Sequence, residues 1–197
     1  KVEDKASDND GDTITIPLMK TFRVFNADQV DNYELPVYEK IERREPQTVA
    51  NELALDVGAE VKNNAGDRAF YSPSKDFINM PLIEQFKNDG LYASTLLHEL
   101  GHWTGHDTRL KRNLKNSFGS KDYAYEELVA ELTNAMLCGS LNVDIEPRPD
   151  HAKYLNGWIE KLKNKPETIF RACAMAQTAS NYLIQLQEDK KTIKKAA

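Results

Sequence analysis

Leu91-Tyr-Ala-Ser-Thr-Leu-Leu-His98-Glu99-Leu-Gly-His102-Trp-Thr-Gly105-His106 is the stretch whose reading decides the fold. Leu91, Ala93, Leu96, Leu97 and Leu100 give it a wide apolar surface, and neither Pro nor Gly interrupts it before Gly101. That pattern predicts a helix. His98 and His102 stand four residues apart, hence on one helical face with a rise of about 6 Å between them. Both imidazoles then reach one ion at about 2.0–2.1 Å. Glu99 projects about 100° around the axis, where its carboxylate meets a water on such an ion. The pattern His-Glu-x-x-His therefore points to a metal centre with the glutamate as general base. A buried pair of uncoordinated histidines beside a glutamate would need other polar partners.

Catalytic zinc takes three protein ligands and a water, so a further residue must come from elsewhere. His106 lies eight residues past His98, about 12 Å along a continuous helix, and shares the ion only if the helix breaks at Gly105. A histidine six past His102 would be another route, but that position is Thr108. Tyr125-Glu-Glu-Leu-Val-Ala-Glu131 is the better source. Glu127 and Glu131 share a helical face bordering an apolar arc of Leu128, Leu132, Ala135 and Met136 within a helix over 122–139. Glu127 is assigned as ligand and Glu131 as the acceptor for a spare imidazole N–H, with the reverse assignment as the alternative. Glu126 is expected to point off this arc, toward water.

Bulk properties narrow the class. The chain has 197 residues, enough for one domain with or without a tail. A net charge of −5 argues against a general nucleic-acid binder. No apolar run approaches the roughly 20 residues of a membrane span, and no secretory signal is visible. With Lys rather than Met at position 1, the chain reads as a piece of a longer or processed protein. Cys138 and Cys173 lack metal or redox spacing and read as lone thiols, which suits a reducing, cytoplasmic compartment.

Along the chain, residues 1–12 are expected to be linker or disordered, and 13–197 to form the folded domain. Thr21-Phe-Arg-Val-Phe25 alternates as a strand would. Residues 32–46 read as an irregular connection. A helix is expected over 47–57, stopped by Gly58. Strands over 59–62, 68–72 and 77–80, separated by turn residues, predict a small antiparallel meander before the His98 helix. A short helix over 82–87 and the Asn88-Asp-Gly90 break follow. An edge strand of such a sheet offers an extended peptide a place to pair. Arg109-Leu-Lys-Arg112 and Lys115 read as a solvated basic loop. Asp150 is expected to cap a helix carrying Leu155, Trp158, Ile159 and Leu162. Pro166 opens a last helix, with Ile169, Cys173, Ala176, Ala179, Leu183 and Leu186 on one side and a Lys-rich end that frays.

Taken together, these residues resemble the C-terminal region of ArdC-type antirestriction proteins and TraC-type plasmid primases, a zincin-like metallopeptidase domain. The likeness runs from Val24-Phe-Asn-Ala-Asp-Gln29 through Ala69-Phe-Tyr-Ser-Pro-Ser-Lys-Asp76, Ile78 and Met80-Pro81. It continues through His98–His106 with Arg109-Leu110, Tyr123-Ala-Tyr-Glu-Glu-Leu-Val-Ala-Glu131, Trp158 and Ala176-Gln177. The resemblance implies an α+β zincin-like fold, metal ligands at His98, His102 and Glu127, and a general base at Glu99. It also implies a role in protecting incoming plasmid or conjugative-element DNA from host restriction. Single-stranded DNA would be bound by an N-terminal domain not present in this chain.

Two function classes follow. In one, Zn2+ and Glu99 hydrolyse a peptide bond in a protein substrate, with His106, Tyr123 or His151 as candidate oxyanion donors. In the other, the metal contributes folding energy to a non-catalytic module that binds a restriction or DNA-processing protein. Direct DNA contact through Arg109 to Lys115 is a weaker third reading.

Overall fold

The computed structural model describes residues 20–34, 44–114, 120–143 and 167–196. The chain divides between residues 41 and 42 into two compact units. In the first, the described residues form one 3-10 turn, Ala27–Gln29. The strand expected over 21–25 does not form, and Phe22, Val24 and Phe25 are exposed. Alternation is only half of a strand's requirement; a hydrogen-bonded neighbour is the other half, and among the described residues of this unit there is none. The expected linker at 1–12 and the Asp150 helix lie outside the described residues.

The second unit is α+β. Helix α1 (Pro46–Val57) starts with Pro at its first turn, where a missing N–H costs nothing. It ends at Gly58, whose φ of 78° is left-handed and whose N–H returns to Ala54 and Leu55 carbonyls. Val49, Ala50, Leu53 and Ala54 form its buried face.

Three strands follow: β1 (Glu60–Asn64), β2 (Phe70–Ser72) and β3 (Phe77–Pro81). Their order is β1-β3-β2, with β2 antiparallel and β1 parallel to β3. The antiparallel meander expected from the sequence is thus corrected to a mixed sheet. Ile78 and Met80 are fully buried, so β3 belongs at the centre, whereas polar β1 is suited to an edge. The connection from β1 to β2 crosses over so that both can flank β3. The Asn63 side chain donates to the Pro81 carbonyl at 3.3 Å and to the Tyr92 hydroxyl at 3.2 Å, fastening β1 to the next helix.

The short helix expected over 82–87 shrinks to the 3-10 turn Ile83–Gln85. Helix α2 (Asp89–Thr104) begins earlier than the sequence suggested, because Asn88 caps it by accepting from the Leu91 N–H. Tyr92 to Gly101 are all buried, so α2 is the central helix of the unit. It packs on α1, on β2 and β3, and on two later helices.

Those are α3 (Lys121–Ser140), capped by the Ser120 hydroxyl, and α4 (Glu167–Ala196). The apolar arc read from the sequence proves to be only one side of α3. Leu128, Leu132 and Met136 join Ala172 and Ala176 of α4, and Ala135 is exposed. The other side, carrying Glu126, Ala130, Asn134 and Leu137, is buried as well. Asn134 there donates to the Ser94 hydroxyl of α2 at 3.0 Å. The Lys-rich end of α4, expected to fray, stays helical through Ala196. Lys194 pairs with Asp56 of α1 at 2.9 Å, and Gln187 donates to the same carboxylate. Cys138 is buried, Cys173 is half-buried, and both are free thiols. No described helix is long and apolar enough to cross a membrane.

Candidate metal centre

The site is built where α2 and α3 come closest. A Cβ on Gly101 would stand 3.1 Å from the Ala130 Cα and 3.4 Å from its Cβ. Only a glycine facing an alanine lets the backbones approach this far. The two helices run antiparallel, with Ser94 meeting Asn134, His98 meeting Glu131 and His102 meeting Glu126, so Glu127 faces the space between the two histidines.

The His98 and His102 rings are 4.8 Å apart between centroids and nearly perpendicular, at 83°. Both turn Nε2 toward Glu127: His98 to Oε2 and His102 to Oε1, each at 3.5 Å. Their ligand atoms and that of Glu127 all lie within 4.8 Å of one another. Two ligand atoms each about 2.1 Å from a tetrahedral ion stand about 3.4 Å apart, so this spacing suits a divalent cation. Borderline N donors with a carboxylate oxygen are the chemistry such ions take.

The opposite ring nitrogens have carboxylates of their own. His98 Nδ1 is 3.1 Å from Glu131 Oε1, close but short of a well-aligned hydrogen bond. His102 Nδ1 is 3.2 Å from Glu126 Oε1. In a neutral ring whose proton is held on Nδ1, Nε2 presents its lone pair to a metal ion. Burial opposes charge on both rings, yet the carboxylates prevail. Glu127 and Glu131 raise the His98 pKa, and Glu126 with Glu127 raises that of His102 to about 10. Burial pushes the other way on Glu127, which the two imidazoles nevertheless hold well below the usual carboxylate range. Glu99 is buried in α2 directly after His98, and its charge adds to the pull on both rings.

Glu126 is the residue the sequence reading missed. It does not face water; it is buried on the α2 side of α3 and accepts a fork of bonds from Arg112, Nε to Oε2 at 3.0 Å and Nη2 to Oε1 at 2.9 Å. Arg112 also overturns the solvated basic loop. Its side chain is 3% exposed, and it donates to the Thr104 hydroxyl and the Gly101 carbonyl at 2.8 and 2.6 Å. Arg109 is equally occupied. It stacks on Trp103 with its guanidinium carbon 3.7 Å from the ring centroid, donates to the Trp103 carbonyl, and pairs with Asp76 and the Tyr71 hydroxyl. With both arginines folded inward, the basis for DNA contact through them disappears; Lys115 lies outside the described residues.

His106 is not in the cluster. Helix α2 ends at Gly105, and His106 Nδ1 is engaged by Thr108, 2.8 Å from its hydroxyl. Of the candidate oxyanion donors, His151 lies outside the described residues.

The sequence profile of zincin-like metallopeptidases matches residues 48–175, more than half of the chain. The chain belongs to the zincin-like metallopeptidase family. The zincin-like domain is 39% identical over 171 residues to an uncharacterised Sinorhizobium fredii protein, y4eC, covering 85% of this chain and 54% of that one. It is 41% identical over 169 residues to the Escherichia coli DNA primase TraC, covering 84% of this chain and 15% of the primase. The crystal structure of the antirestriction protein ArdC from plasmid R388, in its Mn(II)-bound form, superposes with a TM-score of 0.68 at 36% identity. That likeness covers 83% of this chain and 60% of ArdC, and the metal-free form of ArdC gives 0.66. The domain thus spans about half the length of y4eC and a small part of TraC. The α+β zincin-like fold and the ArdC/TraC-type kinship implied by the sequence are both upheld by these likenesses.

Proposed function

We propose that this domain is a zinc-dependent peptidase with His98, His102 and Glu127 as metal ligands and Glu99 as general base. The observation that carries the reading is the convergence of two imidazole Nε2 atoms on one carboxylate, with Glu99 buried beside them. A divalent ion held there supplies Lewis acidity toward a carbonyl and acidifies a water. Glu99 takes the proton from the attacking water and returns it to the leaving amine. Glu126 holds the His102 ring proton on Nδ1, and Glu131 stands 3.1 Å from Nδ1 of His98, which leaves both Nε2 atoms to coordinate the ion. Strand β2, an edge of the sheet packed on α2, is available to pair with an extended substrate. Following the ArdC likeness, the protein substrate belongs to host restriction or DNA processing, and the setting is the cytoplasm.

The rival reading, a metal-stiffened binding module, has no need of a buried carboxylate at position 99. Comparing wild type with Glu99→Gln on candidate host proteins separates the two. Cleavage by wild type and its loss in the variant supports the peptidase, while equal cleavage refutes Glu99 as base. If His98 and Glu127 substitutions abolish antirestriction and Glu99→Gln does not, the binding module is the correct reading.

A further inference from the structure

The residues that hold the metal ligands in place include one that comes from neither of the two helices. Past Gly105 the chain doubles back along the end of α2: the Leu110 N–H donates to the Thr104 carbonyl and the Arg112 N–H to that of Gly105, both at 2.9 Å. This return carries the Arg112 side chain under the helix end, into a slot that a side chain at 105 would fill. A Cβ on Gly105 would stand 3.0 Å from Arg112 Nη2 and 2.9 Å from the Leu114 side chain. Once there, one guanidinium joins the two helices. It bonds the last turn of α2 through the Gly101 carbonyl and Thr104 hydroxyl, and grips Glu126 of α3 with two parallel bonds. Glu126 in turn faces His102 Nδ1 at 3.2 Å.

The geometry points to Arg112 as a positioning residue for metal binding, acting through Glu126 to fix the ring orientation and tautomer of His102. This inference rests on the metal-ligand reading above, though not on catalysis. Glu126 is buried on the face of α3 that meets α2, directly before Glu127 in the chain. The Arg112 guanidinium, placed by the return of the chain, supplies the opposite charge that holds this buried carboxylate inward. Two parallel N–H···O bonds fix its plane as well as its position, which a lone ammonium would not. Released from Arg112, Glu126 turns away and the His102 proton is no longer tied to Nδ1. The tautomer with the proton on Nε2 cannot ligate.

The test is metal affinity, measured with Zn2+ and separately with Mn2+ against a competing chelator, for wild type, Arg112→Met, Glu126→Gln and the double variant. In Glu126→Gln the amide keeps an oxygen for the Nδ1 proton but carries no charge for Arg112 to restrain. Arg112→Met is expected to weaken both ions by about 10–100-fold. In the Zn2+-loaded protein it should also erase the slowly exchanging His102 Nδ1–H resonance. The double variant is expected to bind within a few-fold of Glu126→Gln alone, since the two residues act as a unit. If Arg112→Met does not fold, Arg112→Lys is the substitute, with an affinity expected between those of wild type and the Glu126→Gln variant. Wild-type affinity and an intact Nδ1–H resonance in the Arg112 variant, or penalties that simply add in the double variant, would overturn the inference. Wild-type protein that binds neither ion sinks the metal centre itself. Tight wild-type binding without peptide cleavage sinks only the catalytic reading.

Discussion

The close approach of α2 and α3 at Gly101 makes a prediction in which stability and metal binding separate. In Gly101→Ala, the new Cβ meets the Ala130 Cα at 3.1 Å and its carbonyl oxygen at 3.3 Å. Both are backbone atoms, so relief requires helix movement. Carbon–carbon contact settles at about 3.5–4.0 Å, so α3 must shift by about 0.4–0.9 Å. Metal–ligand distances tolerate about 0.2 Å, and Glu127 sits one turn from the point of contact. Two terms of opposite sign act on the fold. Removing a mid-helix glycine contributes about 1 kcal/mol, and overpacking costs about 1–3 kcal/mol. The net is a loss between about 0 and 2 kcal/mol, or a Tm lower by up to about 4–8 °C at about 2–4 °C per kcal/mol. Metal affinity should fall by at least about tenfold, equal to about 1.4 kcal/mol. Gly139→Ala is the control: it lies in α3 with nothing within 4 Å of its new Cβ, and should be neutral or raise Tm, with metal affinity unchanged. The assay is a thermal melt with a parallel competition titration. Gly101→Ala that melts higher, as the control does, and binds metal as tightly as wild type would refute the crossing argument.

Other consequences are as specific. Because carboxylates raise both imidazole pKa values in the metal-free protein, His102 to about 10, metal binding at neutral pH must displace protons. Apparent affinity should therefore rise with pH, and calorimetry in buffers of different ionisation enthalpy should register the protons released; heats independent of buffer would contradict this. Asp76 is held at a pKa of about 2, chiefly by the hydrogen bond from Arg109. Its contribution to stability is present above the unfolded value of about 3.9 and is lost as pH falls through about 2. The Tm gap between wild type and Asp76→Asn should accordingly be widest above pH about 4 and close toward pH about 2; a gap constant over that range would argue against the pair. Chelating the metal should lower Tm while leaving the far-UV helical signal in place, because the carboxylates and Arg112 hold the centre together without an ion.

The parts of this site that sequence could reveal are those governed by local geometry. His98, Glu99 and His102 follow from one helix and a four-residue spacing, and Glu127 with Glu131 from a second. Glu126 escaped because a helical wheel assigns one inside face. Helix α3 has two, one on α4 built of Leu128, Leu132 and Met136 and one on α2 built of small and polar residues. Apolar periodicity sees only the first. A usable signal was present in Gly105 and Arg112, a glycine ending the helix and an arginine seven residues on, but their pairing depends on a chain reversal that spacing does not encode. The sheet shows the same limit. Strand positions followed from β-branched and aromatic residues, yet the order β1-β3-β2 depends on which strand is buried, and Ile78 and Met80 outweigh the short turns that suggested a meander. Arg109 and Arg112 read as solvated because charge composition says nothing of a buried partner. Asp76 and Glu126 come from elements far away in sequence.

The most direct test of the whole account is metal stoichiometry, by elemental analysis and titration, in wild type, His98→Ala, Glu127→Ala and Glu99→Gln. One divalent ion per chain is expected in wild type and in Glu99→Gln, with tight binding lost in His98→Ala and Glu127→Ala. Wild-type affinity in Glu127→Ala, or loss of the ion in Glu99→Gln, would contradict the assignment of ligands and base on which everything above depends.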